Sequence, residues 1–355
     1  MRGEDFQAAE EMLGRMKAPP LSMRLFLTFV RDTSARAATV EEARVADSRQ
    51  SQIAGRYVAT FLKDLQGAEG LARLDLAPRR SAIIRANAQL FLAWLDVARG
   101  RWESSKAAFA QAERMQEGSA VLVQRAIAAT LPFLAVPRAD LDSIHTQVAG
   151  WNPGAEAVDP NAGLDVKLRP HLRLYLLGLL SARKGDNASA LRFAADAERT
   201  DAPAEARALI RDLAQAIRAD VALGSGRADE ARNALQNVKG EVPLELVSAP
   251  AYSNAREFTQ EHARHMRILL LSVEERPTEA IRWIETSFQG SPSEIAYLAP
   301  MHLKRAELHE RLGEPSKAME HYRLFMTLWR DCDPALRPSV EKAKARIQLL
   351  DKQTG

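Results

Sequence analysis

Apolar positions along the chain recur every three or four residues and do not alternate, the pattern of helices buried along one face. The stretch from Glu41 to Leu65 and the run from Leu174 to Leu191 show it plainly. Strand-favouring residues are sparse, Ala is the commonest residue and helix formers dominate, so the expected fold class is all-α. Pro132 and Pro137 bound helices in the middle of the chain. Trp151-Asn152-Pro153-Gly154 through Pro160-Asn161-Ala162-Gly163 reads as a long loop, and so does Lys239-Gly240-Glu241-Val242-Pro243 through Pro250. Ser291-Pro292-Ser293-Glu294 combines a capping Ser, Pro at the first helical position and Glu three residues after the cap. Asp201 ahead of Pro203 and Asp333 ahead of Pro334 are similar starts. Pro300 should kink or split the helix that begins at Ser291.

A short pattern repeats within these helices. In the run Leu174 to Leu191, Gly185 marks a turn, Gly178 lies seven residues before it, Ala190 five after and Ala197 seven further on. Gly is favoured there because the residue that ends a helix often adopts a left-handed conformation. Small residues are favoured where two helices cross closely. A second copy turns at Gly100, with Ala93 before it and Ser105, Phe109 and Ala112 after. A third turns at Gly226 with Ala219 and Ala231, and a fourth at Gly313 with Ala306, Ala318, Tyr322 and Phe325. A degenerate copy, Glu274-Glu275-Arg276-Pro277-Thr278-Glu279-Ala280, lacks the Gly and is followed by Trp283, Ile284 and Ser287.

From about Asn87 onward this arrangement resembles the tetratricopeptide repeat (TPR) family. The resemblance implies a right-handed α-solenoid of antiparallel TPR-like helical hairpins. Residues 86–355 read as the repeat array and residues 1–85 as atypical N-terminal hairpins continuous with it. The turns at 100, 185, 226, about 275 and 313 are about 85, 41, 49 and 38 residues apart. The spacing exceeds the roughly 34 residues of a standard repeat. The doubled first step implies a hidden hairpin between Ala120 and Val148.

Composition narrows the chemistry. Of 355 residues one is Cys, which excludes an internal disulfide, a cysteine zinc cluster and thioredoxin-type exchange. Two acids, Asp331 and Asp333, flank that Cys332 and should raise its thiol pKa. The balance of 49 Lys+Arg against 46 Asp+Glu is a dispersed +3 that argues against a nucleic-acid surface. Arg outnumbers Lys, but the arginines are interleaved with acids, as between Asp201 and Asp229, which reads as solvated mixed-charge helices. The longest apolar stretch, Ala126 to Val136, falls short of the roughly 20 residues of a membrane span. With no secretory signal in view, the expectation is a cytoplasmic protein.

No phosphate loop, nucleophile elbow or His-Glu-x-x-His occurs, and Ser339-Val340-Glu341-Lys342 opens a helix. His262 and His265 stand three apart beside Glu261, without a visible third ligand. His302 and His309 stand two turns apart on one face. No catalytic group, metal or cofactor is therefore expected. Trp94, Trp102, Trp283 and Trp329 read mainly as core.

By the TPR resemblance, the first helix of each hairpin lines a concave groove. The implied groove residues are Leu90, Trp94, Val97, Leu172, Tyr175, Leu179, Asp220, Leu269, Glu307 and Arg311. The implied function is a non-catalytic scaffold or sensor that binds a protein or peptide. Leu90 to Ala112, Arg169 to Arg199 and Ala296 to Asp333 resemble more narrowly the TPR arms of bacterial signalling proteins, which follow Ser/Thr kinase or DNA-binding activator domains. A sensor of a small molecule or signal peptide is the alternative, favoured by a deep pocket at Tyr175. A nucleic-acid-binding solenoid is the third reading and would need a continuous Arg stripe.

Overall fold

The computed structural model describes residues 11–12, 14–31, 35–46, 49–116, 118–154, 163–240, 250–287 and 292–354, with the backbone alone for 163–166, 250–259, 292 and 353–354. All regular structure among them is helical. The cores of the two expected long loops, 155–162 and 241–249, and the expected cap Ser291 lie outside the described residues.

The elements in chain order are α1 (Leu21–Arg31), α2 (Arg36–Val45), α3 (Gln50–Tyr57, running on as a π-turn Val58–Leu62), α4 (Leu65–Leu74), α5 (Ala82–Ala98) and α6 (Trp102–Glu113). There follow α7 (Ala120–Thr130), α8 (Arg138–Gly150), α9 (Gly163–Arg183), α10 (Asn187–Arg199), α11 (Arg207–Gly224) and α12 (Ala228–Asn237). The last are α13 (Pro250–Val273), α14 (Pro277–Glu285), α15 (Pro292–Ile295), α16 (Leu298–Arg311), α17 (Pro315–Leu328) and α18 (Arg337–Thr354). They fall into two compact units. Unit 1 comprises Met1–Glu117 with Gln289–Ala296, and unit 2 comprises Gly118–Phe288 with Tyr297–Gly355. The helix α5 runs across residues 85 and 86, where the sequence suggested the repeat array begins.

The repeat is a way of closing a hairpin. Gly100, Gly185, Gly226 and Gly313 all sit in the left-handed region, with φ between 70° and 77°. After each, the next residue's N–H donates to the carbonyl five residues back: Arg101 to Asp96, Asp186 to Ser181, Arg227 to Ala222 and Glu314 to His309, all at 2.9 Å. This is the Schellman closure, which satisfies carbonyls that the helix end would orphan. The degenerate copy closes identically. Glu275 takes the left-handed place at φ 57° and Arg276 donates to Leu271 at 2.9 Å. The second helix starts from an Asp cap in one copy, where Asp186 accepts from the Ser189 N–H at 3.0 Å, from Pro at its first position at Pro277 and Pro315, and without a side-chain cap after Arg101 and Arg227. Five residues past the turns, Ser105, Ala190, Ala231, Ala280 and Ala318 have no accessible surface.

Unit 1 holds a copy that the spacing hid. Lys63 is left-handed at φ 59°, Asp64 caps α4 by accepting from the Gly67 N–H at 2.8 Å, and Ala68, five past Lys63, is fully buried. The π-turn inserts one residue ahead of it. The closing bond accordingly runs six residues, from Asp64 N–H to Val58 carbonyl at 3.4 Å, and the small residue moves from seven to eight before the turn, to Gly55. A Cβ on Gly55 would stand 3.1 Å from the Ala68 carbonyl and from the Phe91 ring. The amphipathic stretch Glu41 to Leu65 is divided between helices, and Ala46 turns extended (φ −65°, ψ 128°) and ends α2.

In unit 2, α7 and α8 are the hairpin behind the doubled step, joined by residues 131–137. The split near Pro300 falls earlier than that proline, between α15 and α16, and Pro300 occupies the first turn of α16, where its missing N–H costs nothing. Many arginines are spent on helix ends. Arg173 on α9 donates to the Val148 carbonyl at 3.0 Å, and Arg267 on α13 to those of Leu235 and Val238 at 2.6 and 2.9 Å. Cations at helix C-termini meet both orphan carbonyls and the negative end of the macrodipole. Among the described residues no helix is long and apolar enough to cross a membrane.

Replacing a left-handed non-Gly residue by Gly removes backbone strain, and the reverse adds it. Glu275→Gly should raise stability by about 0.5–1 kcal/mol, and Gly185→Ala should lower it by about 1–2 kcal/mol. Urea midpoints followed by circular dichroism check both, and a lowered midpoint for Glu275→Gly would contradict the turn assignment.

Candidate functional site

The expected groove residues divide by burial. In unit 1, Trp94 and Val97 on α5 are buried, and the Trp94 ring lies edge-on to Phe109 of α6 at 6.3 Å. They bind the two helices of one hairpin together and present no face to a partner. Leu90, on the same helix, is partly exposed.

In unit 2, Leu172, Tyr175 and Leu179 on α9 are also buried. The cause is a close approach of first helices: α9, α11 and α13 each touch the other two. Gly178 permits it, since a Cβ there would stand 2.5 Å from Cδ1 of Ile217 on α11. Large apolar side chains at such a crossing are drawn into the interior, so the groove is filled at this level. The accessible members are Asp220 on α11, Leu269 on α13, and Glu307 and Arg311 on α16. Arg311 donates to the Ser272 carbonyl of α13 at 2.6 Å, which links the end of α16 to α13. Glu307 pairs with Lys304 one turn earlier at 2.5 Å.

Beside these side chains lies a polar cluster in which the histidines are buried and Asp220 is partly exposed. His262 Nε2 is 3.7 Å from Asp220 Oδ1, and both histidines of the His262/His265 pair are buried. Arg183, at the end of α9, donates to the carbonyls of Pro132 and Leu134 at 3.2 and 2.7 Å. The rings of Phe133, His265 and Tyr297 pack on one another with centroids 5.0 to 5.7 Å apart. Burial lifts the Asp220 carboxyl to about 6, against the pull of Arg183. Burial and the Arg183 charge press His262 down to about 4. Burial, with His262 and Lys304 nearby, presses His265 to about 3. Both imidazoles are therefore neutral at neutral pH. Arg183, Phe133 and Tyr297 were not singled out by sequence. The available signal was an aromatic between two prolines inside the doubled repeat step.

The His302/His309 pair belongs to a different arrangement. His321 on α17 stacks between them, with centroids 5.3 Å from His302 and 5.5 Å from His309. His302 Nδ1 and His321 Nδ1 are 3.2 Å apart, and His309 Nδ1 is 2.6 Å from Glu314 Oε2. Burial, with Arg305 and His309 beside it, pushes His321 down to about 4. His309 and His321 line an open cleft of about 740 Å³ together with Ile281, Leu312, Arg282, Arg305 and Lys317. Among the described residues no three His, Cys, Asp or Glu side chains converge as metal ligands. Burial is the first cause that raises the Cys332 thiol, with Asp331 and Asp333 adding to it. Trp283 is the exception among the tryptophans, partly exposed beneath the Arg267 guanidinium at 4.8 Å.

No protein-family model matches the chain, and no curated protein does. Among solved structures it is similar to the crystal structure of the P58(IPK) TPR domain, at 16% identity over 99% of this chain and 93% of that one, with a TM-score of 0.28. Among the described residues the fold is all-α, and its Schellman-closed hairpins with buried small residues are TPR-like.

The cluster fixes a pH dependence. Asp220 has its folded pKa raised from 3.8 to about 6, so its contribution is full below pH 3.8 and is lost as pH rises through 6. The two histidines act oppositely, their contribution being present above 6.5 and lost as pH falls toward 4 and 3. Asp220→Asn should therefore gain about 1–2 kcal/mol over the native chain at pH 8, a gain that disappears by about pH 4. Urea unfolding of both proteins at the two pH values measures it, and an equal gain at both would show that the Asp220 charge is not the cause.

Proposed function

We propose that the chain is a non-catalytic TPR-like module that binds a protein segment along the seam between α13 and α16 of unit 2. The observation that carries this reading is the position of Leu269, Glu307 and Arg311. These accessible side chains come from two first helices of successive hairpins that the Arg311–Ser272 bond holds together. The seam offers an apolar contact at Leu269, a carboxylate at Glu307 and cations at Lys304 and Arg311, which suits a segment carrying an apolar anchor between charges. The setting we propose is signalling, on the resemblance of Leu90 to Ala112, Arg169 to Arg199 and Ala296 to Asp333 to the TPR arms of bacterial kinases and activators.

Trp94 and Tyr175 make poor probes of this surface, because replacing them opens cavities in the core. The double variant Leu269→Arg/Glu307→Arg alters the seam alone. Affinity capture with quantitative mass spectrometry should show partner recovery reduced by about tenfold or more, as expected when a central anchor worth about 1.4 kcal/mol or more is lost. Recovery equal to that of the native chain, with an unchanged melting temperature, would refute the seam as the binding surface.

A further inference from the structure

One connector of unit 2 packs against side chains from α9, α13 and the start of α16. Residues 131–137 read Leu-Pro-Phe-Leu-Ala-Val-Pro and contain no helix. Pro132 and Phe133 form the tip of a turn closed by the Leu134 N–H on the Leu131 carbonyl at 3.3 Å. Leu131 and Leu134 are buried and anchor the connector, whereas Phe133 between them is only half-buried. The Phe133 ring meets Tyr297 edge-on at 5.0 Å and His265 edge-on at 5.7 Å. The Arg183 guanidinium grips the carbonyls on either side of it, Pro132 at 3.2 Å and Leu134 at 2.7 Å. A cation on two backbone carbonyls and an aromatic anchor on two rings from two other elements is how a receptor holds a peptide turn.

The seat fits a phenyl ring incompletely. Tyr297 Oη and His265 Nδ1 are buried and have no hydrogen-bond partner, although both belong to the rings that touch Phe133. An unpaired buried polar atom is costly, and a phenyl ring offers nothing to pair it. A phenol in the same place brings one donor and one acceptor. The seat also continues into the seam described above, since Leu269 lies one turn beyond His265 on α13 and the Lys304 charge acts on His265 from α16.

We propose that the Pro132-Phe133 turn is an intramolecular ligand occupying one end of the partner site. The partner is then a protein segment presenting a Pro-Tyr turn flanked by leucines, whose phenol meets Tyr297 and His265 and whose carbonyls accept from Arg183. The proposal rests on the reading of unit 2 as a protein-binding module. A tethered segment competes at an effective concentration of about millimolar, so an incoming segment must displace Phe133 before it binds.

The probe is a fluorescein-labelled peptide of this chain's residues 129–138 carrying Phe133→Tyr, titrated by anisotropy against the full chain. Phe133→Ala in the protein should tighten binding at least tenfold, and the Tyr peptide should bind that variant more tightly than the Phe peptide. Adding Arg183→Met should remove the gain. If Phe133→Ala does not fold by circular dichroism, Phe133→Leu takes its place. On the native chain, excess peptide should speed amide exchange at residues 133–136. No gain in the folded variant, or no change in that exchange, overturns the proposal. If the peptide fails while Leu269→Arg/Glu307→Arg still loses its partner, the intramolecular ligand falls and the seam survives.

Discussion

Five of the hairpin turns place one residue in the left-handed region and bond the next N–H five residues back, and much of the structure follows from that. The closure fixes where the second helix begins relative to the first. It thereby brings the residue five past the turn into the crossing, where Ala190, Ala231, Ala280 and Ala318 have no accessible surface. Gly satisfies the conformation at the lowest steric cost, but the bond, not the Gly, is what recurs. Glu275 and Lys63 show this: both are left-handed and both are followed by a closing bond, five residues long after Glu275 and six after Lys63.

Sequence reading therefore found the four Gly turns, and the Glu275 turn from the residues that follow it, but missed Lys63. Its Asp64 cap and Ala68 were legible, but the π-turn moves Gly55 one place out of register, so a search at fixed offsets passes over it. The all-α class and the hairpin hidden in the doubled step followed from helical spacing and two prolines. The abundance of Arg was read as solvated charge. Part of it is instead structural, because a guanidinium on one hairpin can cap the carbonyls that end the previous one, as Arg173 and Arg267 do.

The candidate site was legible only in part, for a reason of packing. A family resemblance assigns positions to a groove, but how far that groove stays open depends on the bulk at each helix crossing. Gly178 lets Ile217 in, α9, α11 and α13 come together, and Tyr175 and Leu179 become core. Where α13 meets α16 the link is a side chain reaching a carbonyl, Arg311 to Ser272, and Leu269 and Glu307 keep their exposure. Small residues at one crossing and long polar ones at the next thus separate core from surface along a single face.

The same close approach accounts for the polar groups in the interior. Asp220, His262 and His265 lie on helices drawn together by apolar neighbours, and burying them as charges would be costly. The histidines avoid that cost by staying neutral, as the downward shift of both implies. Asp220 meets it partly through the Arg183 charge, and Arg183 is itself held by the carbonyls of Pro132 and Leu134. The carboxylate, the guanidinium and the connector are therefore linked: a change at Phe133 that frees those carbonyls also changes the field at Asp220. Binding at the connector and the ionisation of Asp220 must then influence each other, because linkage between two sites is reciprocal.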